Sequence, residues 1–231
     1  MRSIRALYLV FILVLCVLVS GSGKRPSTNA YTSASYGESS REEIDPKVLA
    51  PLIILDPGHG GTDHGAAVRS FQEKKVTLLA TLLTKKHLEE LGYRVLLTRS
   101  RDAYLSLPRR VSIANKASGV LFVSIHFNSA KNTDAHGIEV FYYGSSEPWR
   151  SRASQRLANC ILYRVIDQTT AHSRGVKHGN FHVIRETEMP AVLVEGGFIT
   201  NAHERDRLKS RDYLNRMAIG IAQGVDKYLK T

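Results

Sequence analysis

The sequence predicts a single α/β domain whose largely parallel or mixed central sheet is flanked by helices. Short apolar runs typical of buried strands alternate with segments of helical periodicity. About 180 residues show this alternation, which suits one globular core. In such sheets, functional side chains collect just beyond the carboxyl ends of the strands. We therefore expect any chemistry to lie along one edge of the sheet.

The first half of the domain begins with a strand and a helix. Residues 52–55 are all apolar and predict a buried strand. Apolar residues recur at helical spacing from Val76 to Leu91, and Gly92 ends that helix as a C′ residue should. The next predicted elements are a strand over 93–99, a helix over 107–117, a strand over 120–127 and a less central strand over 137–143.

The second half begins with a long helix predicted from about Pro148 to Thr169. FHVIR (181–185) and AVLVEGGF (191–198) predict two further short strands. Asn201 can cap a helix that begins at Ala202. A last helix is predicted to bury Leu214, Met217, Ile221, Val225 and Tyr228.

The amino-terminal segment is typical of an exported protein. Arg2 and Arg5 precede an apolar stretch and small residues near Gly21, the pattern of a secretory signal. The apolar stretch is shorter than the roughly 20 residues of a spanning helix, although an uncleaved anchor is the alternative. We predict a signal peptide over 1–22, a flexible Ser-rich tether over 23–48 and the folded domain over 49–231. The expected location is the periplasm or cell envelope.

The cysteine content bears on disulfide bonding, and the net charge bears on the binding partners of the protein. Cys16 lies in the predicted signal, so Cys160 has no partner for an intramolecular disulfide, and its helical context predicts a core residue. The formal net charge of +11 favours polyanionic surroundings. Without a recognisable nucleic-acid motif, an exported chain is not expected to bind nucleic acid. An anionic envelope surface is the better expectation.

Two imidazoles and two carboxylates fall at the ends of predicted strands and at a helix start. His59 follows the first predicted strand, and His126 lies near the end of the third. Glu195 follows the apolar run AVLV, and Glu73 begins a predicted helix. A His/His/carboxylate set is a standard ligand choice for catalytic zinc. The remaining carboxylate would then act as general base and later as general acid. No G-x-S-x-G elbow is present to support a serine nucleophile.

Each of these residues also has a structural interpretation. A single histidine at a strand end is more often a satisfied polar residue, and the helix dipole alone explains Glu73. Glu195 is harder to explain in this way, because a carboxylate after an apolar run is costly unless it is paired, protonated or bound to metal. The remaining histidines of the domain's polar stretches are expected to be solvated or structural, namely His64, His136, His172, His178, His182 and His203.

Six segments together resemble a known family. They are DPGHGGTDHGA (56–66), EKKVTLLATLL (73–83), LTRSRDAYLSLPRRVSIAN (97–115), SIHFNSA (124–130), SRGVK (173–177) and MPAVLVEGGFITN (189–201). In these motifs and their order, the chain from about Leu52 to its end resembles the zinc-dependent N-acetylmuramoyl-L-alanine amidases of bacterial cell walls. The resemblance covers nearly the whole domain.

The resemblance implies one Zn²⁺ per chain, bound by His59, Glu73 and His126, with Glu195 as the catalytic carboxylate. It also implies a twisted mixed sheet with the site in an open groove. Asn128, at the end of the third strand, is predicted to contact substrate. His64 departs from the family pattern, which often has proline there, and Gly196 stands where a bulkier residue is common.

Three functions remain open on the sequence alone. The first is hydrolysis of the amide between the lactyl group of N-acetylmuramic acid in peptidoglycan and the L-alanine of the stem peptide. The second is a zinc peptidase that cuts another stem bond, such as one between D-amino acids. The third is a non-catalytic wall-binding protein.

The sequence also bears on regulation. Some relatives carry an insertion whose helix blocks the groove until a partner removes it. Here the segment after the fourth strand leads directly into the helix over 148–169, and only 170–172 separates that helix from SRGVK. An open groove that requires no protein activator is therefore expected.

Overall fold

A computed structural model describes residues 50–144 and 146–231 of the protein. The predicted signal peptide (1–22) and tether (23–48) lie outside the described residues. The strands are β1 (Leu52–Pro57), β2 (Ala67–Val68), β3 (Phe71–Gln72), β4 (Arg94–Leu97), β5 (Leu121–Asn128), β6 (Ile138–Tyr142), β7 (Ser173–His178) and β8 (Ala191–Phe198). The helices are α1 (Glu73–Glu90), α2 (Leu107–Ala117), α3 (Pro148–Thr169), α4 (His182–Glu186), α5 (Ala202–Leu208) and α6 (Arg211–Leu229).

The central sheet has six strands in the order β4-β1-β5-β8-β6-β7. Strands β4, β1, β5 and β8 pair in parallel, and β6 then runs antiparallel to β8 and parallel to β7. β2 and β3 form a separate antiparallel pair in the loop before α1. The prediction of an α/β domain with a mixed, largely parallel sheet is confirmed.

The two faces of the sheet bury two different cores, because alternate residues of a strand point to opposite faces. Ile53 and Leu55 pack into the larger core with apolar residues of α1, α3 and α6. Ile54 and Phe122 pack into the smaller core with residues of α2 and α4, such as Val183. Among residues 50–144 and 146–231, no helix is both long enough and apolar enough to cross a membrane.

The predicted strand over 181–185 is wrong, because these residues lie mostly in the short helix α4. The β-branched content of FHVIR favours a strand, but tertiary contacts decide the local structure. The Arg150 guanidinium donates hydrogen bonds to the carbonyl oxygens of Ile184 (2.6 Å) and Arg185 (3.2 Å), and Thr187 Oγ1 donates to Val183 O (3.0 Å). These bonds satisfy carbonyl groups that a five-residue helix leaves unpaired.

Strand β7 was not predicted as a strand. Its residues, SRGVKH, lack apolar alternation because β7 is an edge strand of the sheet. Arg174 and Lys177 instead point back over the sheet and form ion pairs with the buried Glu139 of β6.

Candidate metal centre

His59, Glu73 and His126 converge at the carboxyl edge of the sheet. β1 and β5 are adjacent parallel strands, so the loop after β1 and the end of β5 meet there. The loop then returns the chain to α1, where Glu73 N donates a hydrogen bond to Ala66 O (2.9 Å). The potential ligand atoms of the three side chains all lie within 4.8 Å of one another. The structure thus brings together the three residues that the family resemblance implies as metal ligands.

Glu73 lies between the two imidazoles. Its Oε2 is 3.2 Å from His59 Nε2, and its Oε1 is 3.0 Å from His126 Nδ1. The amide of Phe127 also donates a hydrogen bond to Oε1 (3.1 Å). Burial alone would raise the pKa of Glu73, but the hydrogen bonds from His126 and His59 outweigh it and hold the pKa far below its ordinary value. Glu73 is therefore an anion at neutral pH.

His59 adopts a left-handed backbone conformation with φ of 59°, which is uncommon for a residue other than glycine. Its Nδ1 lies 2.9 Å from Asp63 Oδ2, so this nitrogen is occupied and Nε2 faces Glu73. Burial lowers the pKa of His59, but the hydrogen bonds to Glu73 and Asp63 together raise it by more, so the pKa lies above its ordinary value. A histidine that donates one nitrogen to a carboxylate and presents the other is the usual arrangement of a metal ligand.

Gly58, in the loop after β1, packs directly against the imidazole ring of His126. A Cβ on Gly58 would lie 2.2 Å from His126 Cε1, closer than any real contact. Glycine is therefore required here for the His126 ring to reach the site.

The donor set fits zinc. Two imidazole nitrogens and one carboxylate are ligand types that catalytic zinc accepts, with a fourth position left for water or substrate. His59 presents Nε2 and His126 presents Nδ1, and both nitrogen atoms face the same carboxylate.

Glu195 of β8 faces the same cavity. It is paired in register with His126 on the neighbouring parallel strand, so both side chains project from the same face of the sheet. Its Oε2 is buried and makes no hydrogen bond within the described part of the chain. Burial, and then the nearby charges of Glu73 and Glu139, raise the pKa of Glu195 well above its ordinary value. The site thus contains a carboxyl group with a buried oxygen atom that has no hydrogen-bond partner among the described residues.

The cavity measures about 380 Å³ and combines the polar centre with an apolar wall. Leu107 and Phe181 contribute to this wall and remain 52% and 37% exposed, respectively. The other lining residues are His59, Gly65, Ala66, Glu73, His126, Phe127, Asn128, Ser129, His182, Val183, Leu193 and Glu195. Such a surface can hold a substrate with both apolar and polar parts.

Asn128 lines the cavity, as expected of a substrate contact, but its amide already has partners. Its Nδ2 donates to Glu139 Oε1 (2.7 Å), and its Oδ1 accepts from the amide of Ser129 (2.9 Å). Glu139 is in turn held by Arg174 and Lys177. The substrate role of Asn128 stays a prediction.

Sequence reasoning did not identify Asp63, Glu139 or the apolar wall. Asp63 lies in the glycine-rich motif four residues after His59, a spacing that could have suggested a partner for the imidazole. His182 was expected to be solvated or structural, but it lines the cavity at the start of α4. Its placement depends on α4, which was predicted as a strand.

An α/β domain with a His-Glu-His ligand set and a buried carboxyl at the carboxyl edge of a mixed sheet defines a class of candidate metallohydrolases. Comparison with known protein families identifies the family within this class. The family model described as N-acetylmuramoyl-L-alanine amidase (Amidase_3) matches residues 53–227, and the chain belongs to this family.

Relatives and solved structures agree with this assignment. The chain is 38% identical over 176 residues to N-acetylmuramoyl-L-alanine amidase CwlM of Bacillus licheniformis, covering 75% of this chain and 66% of the relative. It is 37% identical over 180 residues to the sporulation-specific N-acetylmuramoyl-L-alanine amidase of Bacillus subtilis (strain 168), covering 76% and 67%. The structure of the catalytic domain of CwlV, an N-acetylmuramoyl-L-alanine amidase from Bacillus (Paenibacillus) polymyxa var. colistinus, matches with a TM-score of 0.73 at 39% identity, covering 78% of this chain and 98% of that domain.

Proposed function

We propose that the protein is a zinc-dependent peptidoglycan amidase that hydrolyses the amide between N-acetylmuramic acid and the L-alanine of the stem peptide. One observation carries this proposal. Three residues that could hold a metal ion line the same cavity as Glu195, whose buried Oε2 has no hydrogen-bond partner among the described residues, in a chain that belongs to the amidase family. The named activities of the relatives support the choice of bond.

His59, Glu73 and His126 would hold the zinc. A bound zinc acts as a Lewis acid and lowers the pKa of water from about 15.7 to about 7. Glu195 takes a proton from the attacking water and then donates it to the leaving amine nitrogen. The C–N bond breaks, a lactyl carboxylate forms, and the alanine amine is released. Burial raises the pKa of Glu195, which makes its carboxylate a stronger base toward the attacking water.

The remaining residues bind and orient. Asp63 fixes the orientation of His59 through Nδ1. Leu107 and Phe181 offer apolar surface for the methyl groups and the sugar face of the substrate. The Oε2 atom of Glu195 is shielded from bulk solvent, which favours proton transfer to the substrate over loss to water.

The same proposal includes location and partners. The amino-terminal segment and the net charge of +11 support an exported protein that works in the periplasm or cell envelope on peptidoglycan, near anionic surfaces. Nucleic acid is not a proposed partner. An activating protein is not required.

The test is digestion of purified, soluble wall fragments with the zinc-loaded protein, followed by mass spectrometry. A new lactyl carboxylate together with a free L-alanine amine supports the amidase. Loss of a terminal D-alanine would instead identify a peptidase that cuts the stem. A zinc-loaded protein that binds the fragments without cutting them would identify a wall-binding protein. Glu195→Gln, treated in the same way, controls for contaminating hydrolases.

A further inference from the structure

Three buried cations surround the loop that presents His59. Lys74, Arg99 and Arg110 are only 7%, 4% and 2% exposed, and all three direct their charged ends at backbone carbonyl groups of residues 57–61. We name these three side chains the carbonyl clamp. Burying three cations is costly unless each is fully bonded, so their placement needs a reason.

The contacts of the carbonyl clamp are dense. Its hydrogen bonds run from Arg99 Nε to Pro57 O (3.0 Å), Arg99 Nη2 to Gly58 O (2.7 Å), Arg110 Nη1 to Pro57 O (2.6 Å), Arg110 Nη2 to His59 O (2.7 Å) and Lys74 Nζ to Gly61 O (2.7 Å). The remaining carbonyl of the loop, Gly60 O, accepts from the amide of Asp63 (3.1 Å). Every carbonyl from residue 57 to residue 61 is therefore bonded.

The carbonyl clamp is itself fixed. Arg110 Nη1 also donates to Asp56 Oδ1 (2.8 Å), and the fully buried Asp56 accepts further hydrogen bonds from Thr98 and Ser124. Lys74 Nζ donates to Asp102 Oδ2 (2.9 Å), while Asp102 Oδ1 accepts from the amide of Gly61 (2.7 Å). The donors consequently have little freedom to follow the loop if it moves.

The loop needs such support because of His59. A left-handed conformation is disfavoured for a residue with a Cβ, so an unsupported loop would mostly adopt other conformations. In those conformations the imidazole would not face Glu73 and His126. Affinity for a metal falls when the ligand-presenting conformation is only partly populated.

We propose that the carbonyl clamp, chiefly through Arg110 and Lys74, positions His59 so that its Nε2 faces the other two metal ligands. This inference rests on the proposed function, because it assumes that the site binds zinc. Positioning and simple electrostatics predict opposite effects on zinc affinity when one of these cations is removed. Cations beside a dication repel it, so removing one should tighten zinc binding if charge alone mattered. Positioning requires that binding weaken.

The experiment measures the zinc dissociation constant by competition with a chromophoric chelator, and the melting temperature, for the wild-type protein and three variants. Arg110→Lys keeps the charge but loses the guanidinium fork that reaches two carbonyls at once. Lys74→Met removes the charge and the hydrogen bond to Gly61 O. Its other partner, Asp102, has a side chain that is 50% exposed and still accepts from the amide of Gly61, so the variant leaves no buried carboxylate unpaired. Both variants are expected to bind zinc about 10- to 100-fold more weakly.

Arg150→Lys is the matched control. Arg150 is also buried, and its guanidinium also donates to three backbone carbonyls, those of Ile184, Arg185 and Met189, none of which belongs to the His59 loop. It is expected to lower the melting temperature while zinc affinity stays at the wild-type value. This control separates a loss of stability from a loss of positioning.

The outcomes are distinguishable. Unchanged or tighter zinc binding in Lys74→Met overturns the inference, as does equal weakening in Arg150→Lys. If Arg110→Lys does not fold, Lys74→Met decides the question alone. A wild-type protein that binds zinc, with variants that bind it equally well, contradicts the inference but leaves the proposed function intact. A wild-type protein that does not bind zinc overturns the proposed function and the inference with it.

Discussion

Glu73 and Glu195 are carboxyl groups of one cavity, yet their surroundings shift their pKa values in opposite directions. Glu73 accepts hydrogen bonds from two imidazoles and a backbone amide, which hold its pKa down despite burial. The Oε2 atom of Glu195 accepts none from the described residues, so burial and neighbouring negative charge raise the pKa of Glu195. Environments that separate two pKa values in this way separate two roles. The anionic charge of Glu73 suits a metal ligand, and the raised pKa of Glu195 makes its carboxylate a stronger base for the proposed proton transfer.

Glu195→Gln is expected to lower the turnover rate by about 10²- to 10⁴-fold, because proton transfer by a positioned carboxyl is worth about that factor. Zinc content should stay at one ion per chain, since Glu195 is not among the three ligands. Product release is followed by mass spectrometry and zinc by elemental analysis. Glu90→Gln, at the exposed end of α1, is the control and should keep full activity. Near-normal turnover in Glu195→Gln would remove this residue from the proposed mechanism.

His59→Ala and His126→Ala are expected to lose zinc as well as activity, because each reduces three protein ligands to two. Elemental analysis after extensive dialysis measures the loss. His203→Ala, in α5 and outside the cavity, should retain the ion. Full zinc occupancy in both ligand variants would mean that the ion binds elsewhere.

The raised pKa of Glu195 predicts a pH dependence of stability in the metal-free protein. A carboxyl whose folded pKa exceeds the unfolded value of about 4.3 stabilises the fold below that value and loses this contribution as pH rises. The melting temperature of the wild-type protein minus that of Glu195→Gln should therefore decrease between about pH 4 and pH 8. Thermal melts with a chelator present measure this difference. A difference that grows with pH would contradict the assigned shift.

At the scale of elements, α3 and α6 pack closely because α6 carries glycine at the contact. A Cβ on Gly224 would lie 2.5 Å from Ile161 Cα and 2.8 Å from Ile161 N. Both are backbone atoms of α3, so they cannot move as a flexible side chain would. Ile161 and Val225 of this contact are fully buried in the larger core. The close spacing of α3 and α6 therefore depends on the absence of a Cβ atom at Gly224.

Gly224→Ala should lower the free energy of unfolding, even though alanine favours helix over glycine by about 1 kcal/mol. Overpacking a core commonly costs about 1–3 kcal/mol, which outweighs that gain. Urea unfolding measures the change. Lys227→Ala, on the exposed side of the same helix, should change stability by less than about 0.5 kcal/mol. A more stable Gly224→Ala variant would show that the helices can separate at little cost.

Elements with a strong apolar pattern were predictable from sequence, and elements defined by tertiary contacts were not. β1, β5 and β8 are buried on both faces, so their apolar runs predict them directly. The edge strand β7 and the short helix α4 carry no such pattern. Their structure depends on ion pairs to Glu139 and on hydrogen bonds from Arg150.

The candidate site divides in the same way. Chemically distinctive residues at strand ends or a helix start are candidates on the sequence alone, and the family resemblance implies their separate roles. They are His59, Glu73, His126 and Glu195. The carbonyl clamp acts on backbone oxygens, which every residue possesses, and leaves no pattern of residue types in the chain. Arg99 and Arg110 are visible as charges in the sequence, but their partners are visible only in the structure.

At the scale of the whole molecule, α3 belongs to the core and does not cover the cavity. Its apolar face, including Leu157, Ile161 and Val165, is fully buried against the sheet and α6. Within residues 50–144 and 146–231, the lining of the cavity includes no residue of α3. This agrees with the proposal of an open groove.

We expect two forms of the protein to cleave soluble wall fragments at similar rates. One begins after residue 22, and the shorter one begins at Val48. The tether between them is rich in Ser, Thr and charge, a composition that does not favour docking on the domain. Initial rates by mass spectrometry test this, with Glu195→Gln in both lengths as the blank. A silent longer chain beside an active shorter one would show that the tether inhibits the enzyme.

The position of β8 between β5 and β6 has a consequence for biogenesis. β5 and β6 are consecutive in the chain but are not neighbours in the sheet, so each lacks a partner along one edge until residues 191–198 have been synthesised. Unpaired apolar edges of this kind promote association with other chains, which favours folding after synthesis is complete. The three metal ligands all precede residue 127, whereas Glu195 arrives with the last strand. The residue proposed to transfer the proton is therefore synthesised last, so a partly synthesised chain lacks the complete proposed site even when all three candidate metal ligands are present.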